Sequence, residues 1–288
     1  AVHVDVNFRE KYPSKRVSEA RTTSSKFTDL PFHFSRFRTR DVSISHTRHT
    51  PRVLHTMSTV ETWVKVSPHP VLQHKLMELR NKNTTPTRFR AILAQLTTML
   101  AYEATAQLAT EAATCETPVS SATGVRLAER IALIPVMRAG MGMADAMLDL
   151  LPDASVHHIG MYRKHHDLLP VLYYNRLPDV CACDVAIVLE PMVATAGTLR
   201  ATIDILKEWG APRIVVISVV GARTGLETLR SFHPDVTVHI GSIDSGRTAE
   251  GMIMPGLGDV GDRLYNAVPE GVPSADSASR KRARAEAS

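Results

Sequence analysis

The sequence predicts an α/β fold: one domain with a mostly parallel central sheet flanked by helices. Three observations carry this. Short apolar runs recur without polar alternation, as in strands buried on both faces. Stretches of helical period separate several of them. One run, Val185–Leu189, passes through a turn of small and hydroxyl residues into a helix. In chain order, residues 69–82 and 86–108 read as helices, and in the second Phe89, Ile92, Leu93, Leu96, Leu100 and Ala104 fall on one face. The predicted strands are Ile131–Val136, Val156–Met161, Val185–Leu189, Ile214–Val220 and Val236–Ile240. The predicted intervening helices are Met141–Leu151, Thr198–Trp209 and Thr224–Phe232. The second of these stops at Gly210 with Pro212 just beyond, the usual helix-ending chemistry.

The 288 residues carry a formal charge of +5. Residues 1–56 hold 11 Lys/Arg against 5 Asp/Glu, residues 269–288 hold 4 against 3, and the middle holds 19 against 21. The excess is therefore a property of the ends, which argues against a nucleic-acid-binding core. Residues 1–56 are rich in Ser, Thr, Arg and His without an apolar period, and are expected to be a disordered extension. Its Arg and Ser content suits an organellar address, but its acidic residues weaken that, and Met57 is an alternative start. Residues 269–288 read as a second disordered tail, whose R-K-R-A-R run is either a nuclear address or simply solvated. The domain expected between them is 57–268. No apolar stretch approaches the ~18–20 residues of a membrane span, and no secretory h-region follows the first residues, so a cytoplasmic protein is expected. Cys115, Cys181 and Cys183 are too few for a disulfide framework, and the C-x-C pair lacks further ligands at zinc spacing.

The strongest local signal is Glu190–Thr198, E-P-M-V-A-T-A-G-T, after the strand Val185–Leu189. A carboxylate at a strand's end, a small-residue turn and a helix N-terminus together make an anion site, because inward N–H groups and the helix dipole favour negative charge. Taken alone, the same residues equally suit an ordinary loop with Thr198 as N-cap. Arg138 and Arg163 follow two other predicted strands, at the sheet edge where ligands of parallel sheets bind. Two guanidinium forks there suit a pyrophosphate. Gly256–Gly261 is a literal G-x-G-x-x-G, but no βαβ unit can follow it, so a dinucleotide reading fails.

Glu190–Thr198 resembles the phosphoribosyl-pyrophosphate (PRPP) loop of the type I phosphoribosyltransferases, which in the uracil branch usually reads D-P-M-L-A-T-G-G-S. P-V-M-R-A-G-M-G-M (Pro135–Met143), G-M-Y-R (Gly160–Arg163) and P-G-L-G-D-V-G-D (Pro255–Asp262) resemble the same branch. So do H-P-V-L-Q-H-K-L (His69–Leu76), T-R-F-R (Thr87–Arg90) and L-A-Y-E-A-T (Leu100–Thr105). The resemblance to the uracil phosphoribosyltransferase family covers about residues 64–268. It implies a salvage enzyme that makes UMP and diphosphate from uracil and PRPP with Mg²⁺. It implies PRPP binding by Arg138, Arg163, Glu190, Asp259 and the loop Val193, Ala194, Thr195, Ala196, Gly197 and Thr198. Arg163, Glu190 and Asp259 would be the catalytic groups, and Ile253, Gly258, Asp259 and Val260 would read uracil, largely through main-chain groups. A hairpin arm starting at Lys164, a homodimer or homotetramer, and a GTP effector are also implied. No ligand residue for a metal is singled out, and no general base.

Four residues depart from the branch: Glu190 for Asp, Ala196 for Gly, Met252 for an aromatic and Val260 for Ala. Ala is costlier than Gly where the backbone needs positive φ. These departures keep open an alternative, a catalytically impaired homologue acting as a nucleotide-sensing or partner-binding subunit.

Overall fold

In the computed structural model the described residues are 63–163, 170–248 and 251–267. The proposed tails, Lys164 and the R-K-R-A-R run lie outside them. The described part of the chain opens with β1 (Val64–Val66), α1 (Pro70–Arg80) and α2 (Pro86–Thr105). Pro at the first position of each helix costs no hydrogen bond, and the side chains of His69 and Thr85 accept from Val71 and Arg88 amides as N-caps. Next come β2 (Thr110–Glu116), β3 (Ser121–Leu127), β4 (Ile131–Met137), α3 (Met141–Leu150), β5 (Ser155–Val156), β6 (Ile159–Arg163) and β7 (Pro170–Asn175). β8 (Val185–Leu189), β9 (Met192–Val193), α4 (Gly197–Glu208), β10 (Ile214–Ala222), α5 (Arg223–Phe232) and β11 (Thr237–Asp244) complete the main sheet and its cover. β12 (Gly246–Arg247), β13 (Ile253–Met254) and α6 (Val260–Tyr265) end the described chain.

The sheet runs β1-β11-β10-β8-β4-β6-β7, with β5 on β4 and β9 on β10. All its pairs are parallel except β6–β7. Alternate residues of each strand feed two cores. Leu133, Ile187, Leu189 and Ile217 pack with Leu76, Leu96, Met147 and Leu264 of α1, α2, α3 and α6. Ile134, Val188, Val216 and Val238 pack with Leu199, Ile203, Leu206 and Leu229 of α4 and α5. The described domain is thus three-layered, and each fully buried Leu or Ile contributes roughly 1.5–3 kcal/mol.

The predicted strand Val156–Met161 is two short pieces. Leu133 pairs with Val156 and Val136 with Ile159, the same offset on both sides, so His157 and His158 interrupt one course rather than shift it. The β6–β7 pair flanks residues 164–169, where the arm was expected; Arg163 pairs with Pro170. A separate hairpin, β2–β3, was not anticipated. It runs in register from Thr110↔Leu127 to Glu116↔Ser121 and is largely exposed, so it needs no apolar alternation.

Candidate active site

β4 and β8 lie side by side, from Ile131↔Val185 to Pro135↔Leu189. From β4 the chain proceeds to β6 on one flank, and from β8 to β10 on the other. Loops leaving such a pair diverge, and the crevice between them is where parallel sheets bind ligands. Arg138 directly follows β4 and Glu190 directly follows β8. Both therefore stand at the switch point.

Glu190 is half-buried. Its backbone N–H donates to Ile217 O (3.2 Å), and Pro191 O accepts from Val219 and Val220 N–H (3.0 and 3.1 Å). The Glu-Pro step is thereby bolted to β10. Val193 lies in β9 opposite Gly221, buried, and Ala194 is buried after it. The helix cap is Ala196, not Thr198: α4 starts at Gly197, and Thr198 sits in its first turn. Ala196 holds φ at +65° and has no side-chain cap, so the first-turn amides keep their donors for a ligand. Thr195 Oγ1 accepts weakly from Gly197 N–H at 3.4 Å. Gly225 of α5 underpins the turn, since a Cβ there would stand 2.1 Å from Ala194 O.

The left-handed cap makes a stability prediction. Ala196→Val should lose about 1–3 kcal/mol, because a β-branched side chain resists this conformation. Ala196→Gly should differ little, since relief of strain is offset by a lost buried methyl and a freer unfolded chain. Thermal melts of both variants check this; equal melting points for Val and Gly would refute the strained cap.

The third loop follows β13. Ile253 is buried, Gly258 is exposed with φ +73°, and Val260 is the buried first residue of α6. Asp259 is exposed and caps α6 by accepting from Asp262 N–H (2.9 Å). Arg138 Nη2 donates to Asp262 Oδ1 (3.1 Å), and Arg138 O accepts from Tyr265 OH (3.3 Å). The Cβ position of Gly261 is 3.2 Å from both Arg138 Nη2 and Asp259 Oδ1. Arg138 and Asp259 are thus brought together across one glycine. Asp262 and Tyr265 were missed as members of this group, though the i,i+3 spacing of Asp259 and Asp262 was a signal. Pro170, the β7 partner of Arg163, places its Cδ 4.0 Å from the Cβ position of Gly197, so the end of β7 adjoins the turn before α4.

The uracil phosphoribosyltransferase family model matches residues 66–267, which include all three loops. The chain belongs to this family. The uracil phosphoribosyltransferase of Roseiflexus sp. (strain RS-1) is 46% identical over 202 residues, 70% of this chain and 97% of that protein. That of Dictyoglomus thermophilum is 45% identical over 203 residues, covering 70% and 98%. The solved AQ2163 protein of Aquifex aeolicus superposes with a TM-score of 0.68 at 30% identity, over 71% of this chain and 98% of its own. Membership in the uracil phosphoribosyltransferase family makes the chain a pentosyltransferase of pyrimidine salvage.

Proposed function

We propose that the chain converts uracil and PRPP to UMP and diphosphate with the three loops as its machinery. The observation that carries this is the convergence at the β4/β8 switch point of an uncapped helix N-terminus, a fixed carboxylate and an Arg–Asp cluster. In this reading the turn Val193–Thr198 holds the 5-phosphate on the α4 amides and the Thr195 and Thr198 hydroxyls. Glu190 accepts from the ribose hydroxyls. Arg138 and Arg163 neutralise pyrophosphate as it leaves, which stabilises the charge that develops there. Ile253, Gly258 and Val260 read the uracil edge through main-chain groups, with Asp259 between base and donor. Cytosine's amino group would leave one such group mispaired, at a cost of a few kcal/mol.

Mg²⁺ suits this arrangement. Among the described residues no three His, Cys, Asp or Glu side chains gather at one point, whereas Asp259 offers an exposed carboxylate beside Arg138. Mg²⁺ is commonly held by one or two carboxylates, water and substrate phosphates, and bound so it would offset leaving-group charge. None of the four departures removes a charge, and Ala196 adopts the positive φ for which Gly is usual. Purified protein given labelled uracil, PRPP and Mg²⁺ should form UMP. Failure with uracil and every other base would leave a binding subunit instead.

The homodimer or tetramer is supported by β7, an edge strand with Leu172, Tyr173 and Tyr174 exposed. Sizing tests it, and a GTP titration of the rate tests the effector. No helix among the described residues is long and apolar enough to cross a membrane. Deleting residues 1–56 should leave turnover and melting temperature unchanged, because the family match starts at residue 66 and the two described cores draw on residues 63–264. An inactive or insoluble truncation would show that the extension takes part in the fold.

A further inference from the structure

Behind the third loop lies a buried ionic group that none of the roles above uses. Arg80, the last residue of α1, donates from Nη1 to Asp244 Oδ2 (2.8 Å) and from Nη2 to Asp244 Oδ1 (2.6 Å). The same Nη1 donates to Gly256 O (2.8 Å), and Nη2 to Ser242 Oγ (3.2 Å). Asp244 Oδ2 in turn accepts from Gly256 N–H (2.8 Å). Both peptide groups of Gly256 are therefore gripped, one by each partner of a bidentate ion pair. Asp244 is 5% exposed. Burial pushes its carboxyl up, but hydrogen bonds from Arg80, Gly256 and Ser242 outweigh this and hold it below the usual carboxylate range. The pair thus stays charged, and charge-assisted, bidentate bonds are the geometrically strictest kind.

Gly256 is where the loop has least freedom. Its φ is +61°, and a Cβ there would stand 2.1 Å from Ile253 O. Its neighbour is braced as well: Arg263 Nη1 donates to Leu257 O (2.8 Å), Nη2 to Asn81 O (2.6 Å), and its guanidinium lies 4.2 Å from the centre of the Phe89 ring. Residues 256 and 257 thereby face the end of α1, between the base-reading positions Ile253 and Gly258.

We infer that Arg80 and Asp244 are positioning residues for base recognition: their ion pair clamps the Gly256 peptide and so sets the main-chain edge that reads uracil. This rests on the reading of Ile253, Gly258 and Val260 as that edge. Neither residue touches the base; both act through the backbone. Main-chain recognition has no rotamers with which to recover from a shift, so a small displacement of the loop is felt directly in affinity. The turn before α4 is held by β10 and α5, and β10 meets Ser242 and Asp244 through the backbone ladder, so substitutions of the clamp side chains should move it little.

Steady-state constants of the full chain test this. Arg80→Lys keeps the charge but loses the fork, and Asp244→Asn keeps the shape but loses the charge. Each should raise the Michaelis constant for uracil roughly tenfold or more, equivalent to 1.4 kcal/mol per tenfold, with that for PRPP moved less than about twofold. Combined, they should cost less than the product of the two, as expected for one interacting pair. Ser242→Ala, which removes the hydroxyl's two 3.2 Å contacts with Arg80 and Asp244 but leaves the ion pair, provides a mild variant if either of the others fails to fold; it should raise the uracil constant selectively and by less. Active wild type with both constants moved equally, or neither, would overturn the clamp. Inactive wild type would overturn the uracil reading itself.

Discussion

Arg138→Ala is expected to lower turnover by roughly two to three orders of magnitude, the usual loss when one donor to a developing anion is removed. Arg138 stands one residue past β4, exposed, with its guanidinium paired to Asp262 and across Gly261 from Asp259. An exposed ion pair contributes only about 0–1 kcal/mol to stability, so the Asp262 contact alone does not account for a charge kept in the crevice. If Arg138 meets pyrophosphate, its loss should fall mainly on the rate and leave the uracil constant nearly unchanged. Asp262→Asn separates the two roles. It breaks the ion pair but keeps Arg138, and should retain most of the turnover. Equal, small effects of both variants on rate and melting temperature would reduce Arg138 to a surface ion-pair former.

Glu190→Gln should fold normally and lose most activity. The Glu-Pro step is fixed to β10 by three backbone hydrogen bonds, so the side chain emerges from a rigid point at the crevice. As an anion Glu190 can accept from two ribose hydroxyls at once, through bonds about twice as strong as neutral ones. In the proposed reaction it would also oppose the positive charge that builds on the ribose as the bond to pyrophosphate breaks. Gln keeps the length and one acceptor but not the charge. The maximal rate should therefore fall by at least about tenfold while the PRPP constant moves less. Near-normal turnover with a slightly lowered melting temperature would mean that Glu190 serves α4 or a neighbouring Arg instead.

What could be read in the chain alone follows from how local the cause is. β8 matches its predicted bounds, Val185–Leu189, because a strand buried on both faces writes its burial into five consecutive apolar residues. α2 was legible because its buried face repeats at helical spacing. The turn Glu190–Thr198 was legible as a strand-to-helix connection, but the cap fell at Ala196 rather than Thr198, because Ala rarely takes a left-handed backbone. β2–β3 is an exposed pair with no apolar stripe to betray it. β1 is three residues long and exists through its pairing with β11. Nothing in the sequence marks Arg80 and Asp244 as partners, since only the fold brings the end of α1 to the end of β11.

The pairing of Val64 with Val238 also constrains how the chain comes to be folded. β1 is made early, yet it has no strand to join until β11 has followed. On a growing chain α1 and α2 can form and β4 can find β8, while Trp63 and Val64 wait for an edge to close against. Pairings so remote in sequence are reached slowly and leave apolar surface open meanwhile. The loop after β13 comes later still, and the arginine that grips it from α1 has then been waiting for nearly the whole length of the domain. The two walls of the crevice are therefore not born together: the turn before α4 can be in place when β10 is, but the loop after β13 is not set until Gly256 arrives between Arg80 and Asp244.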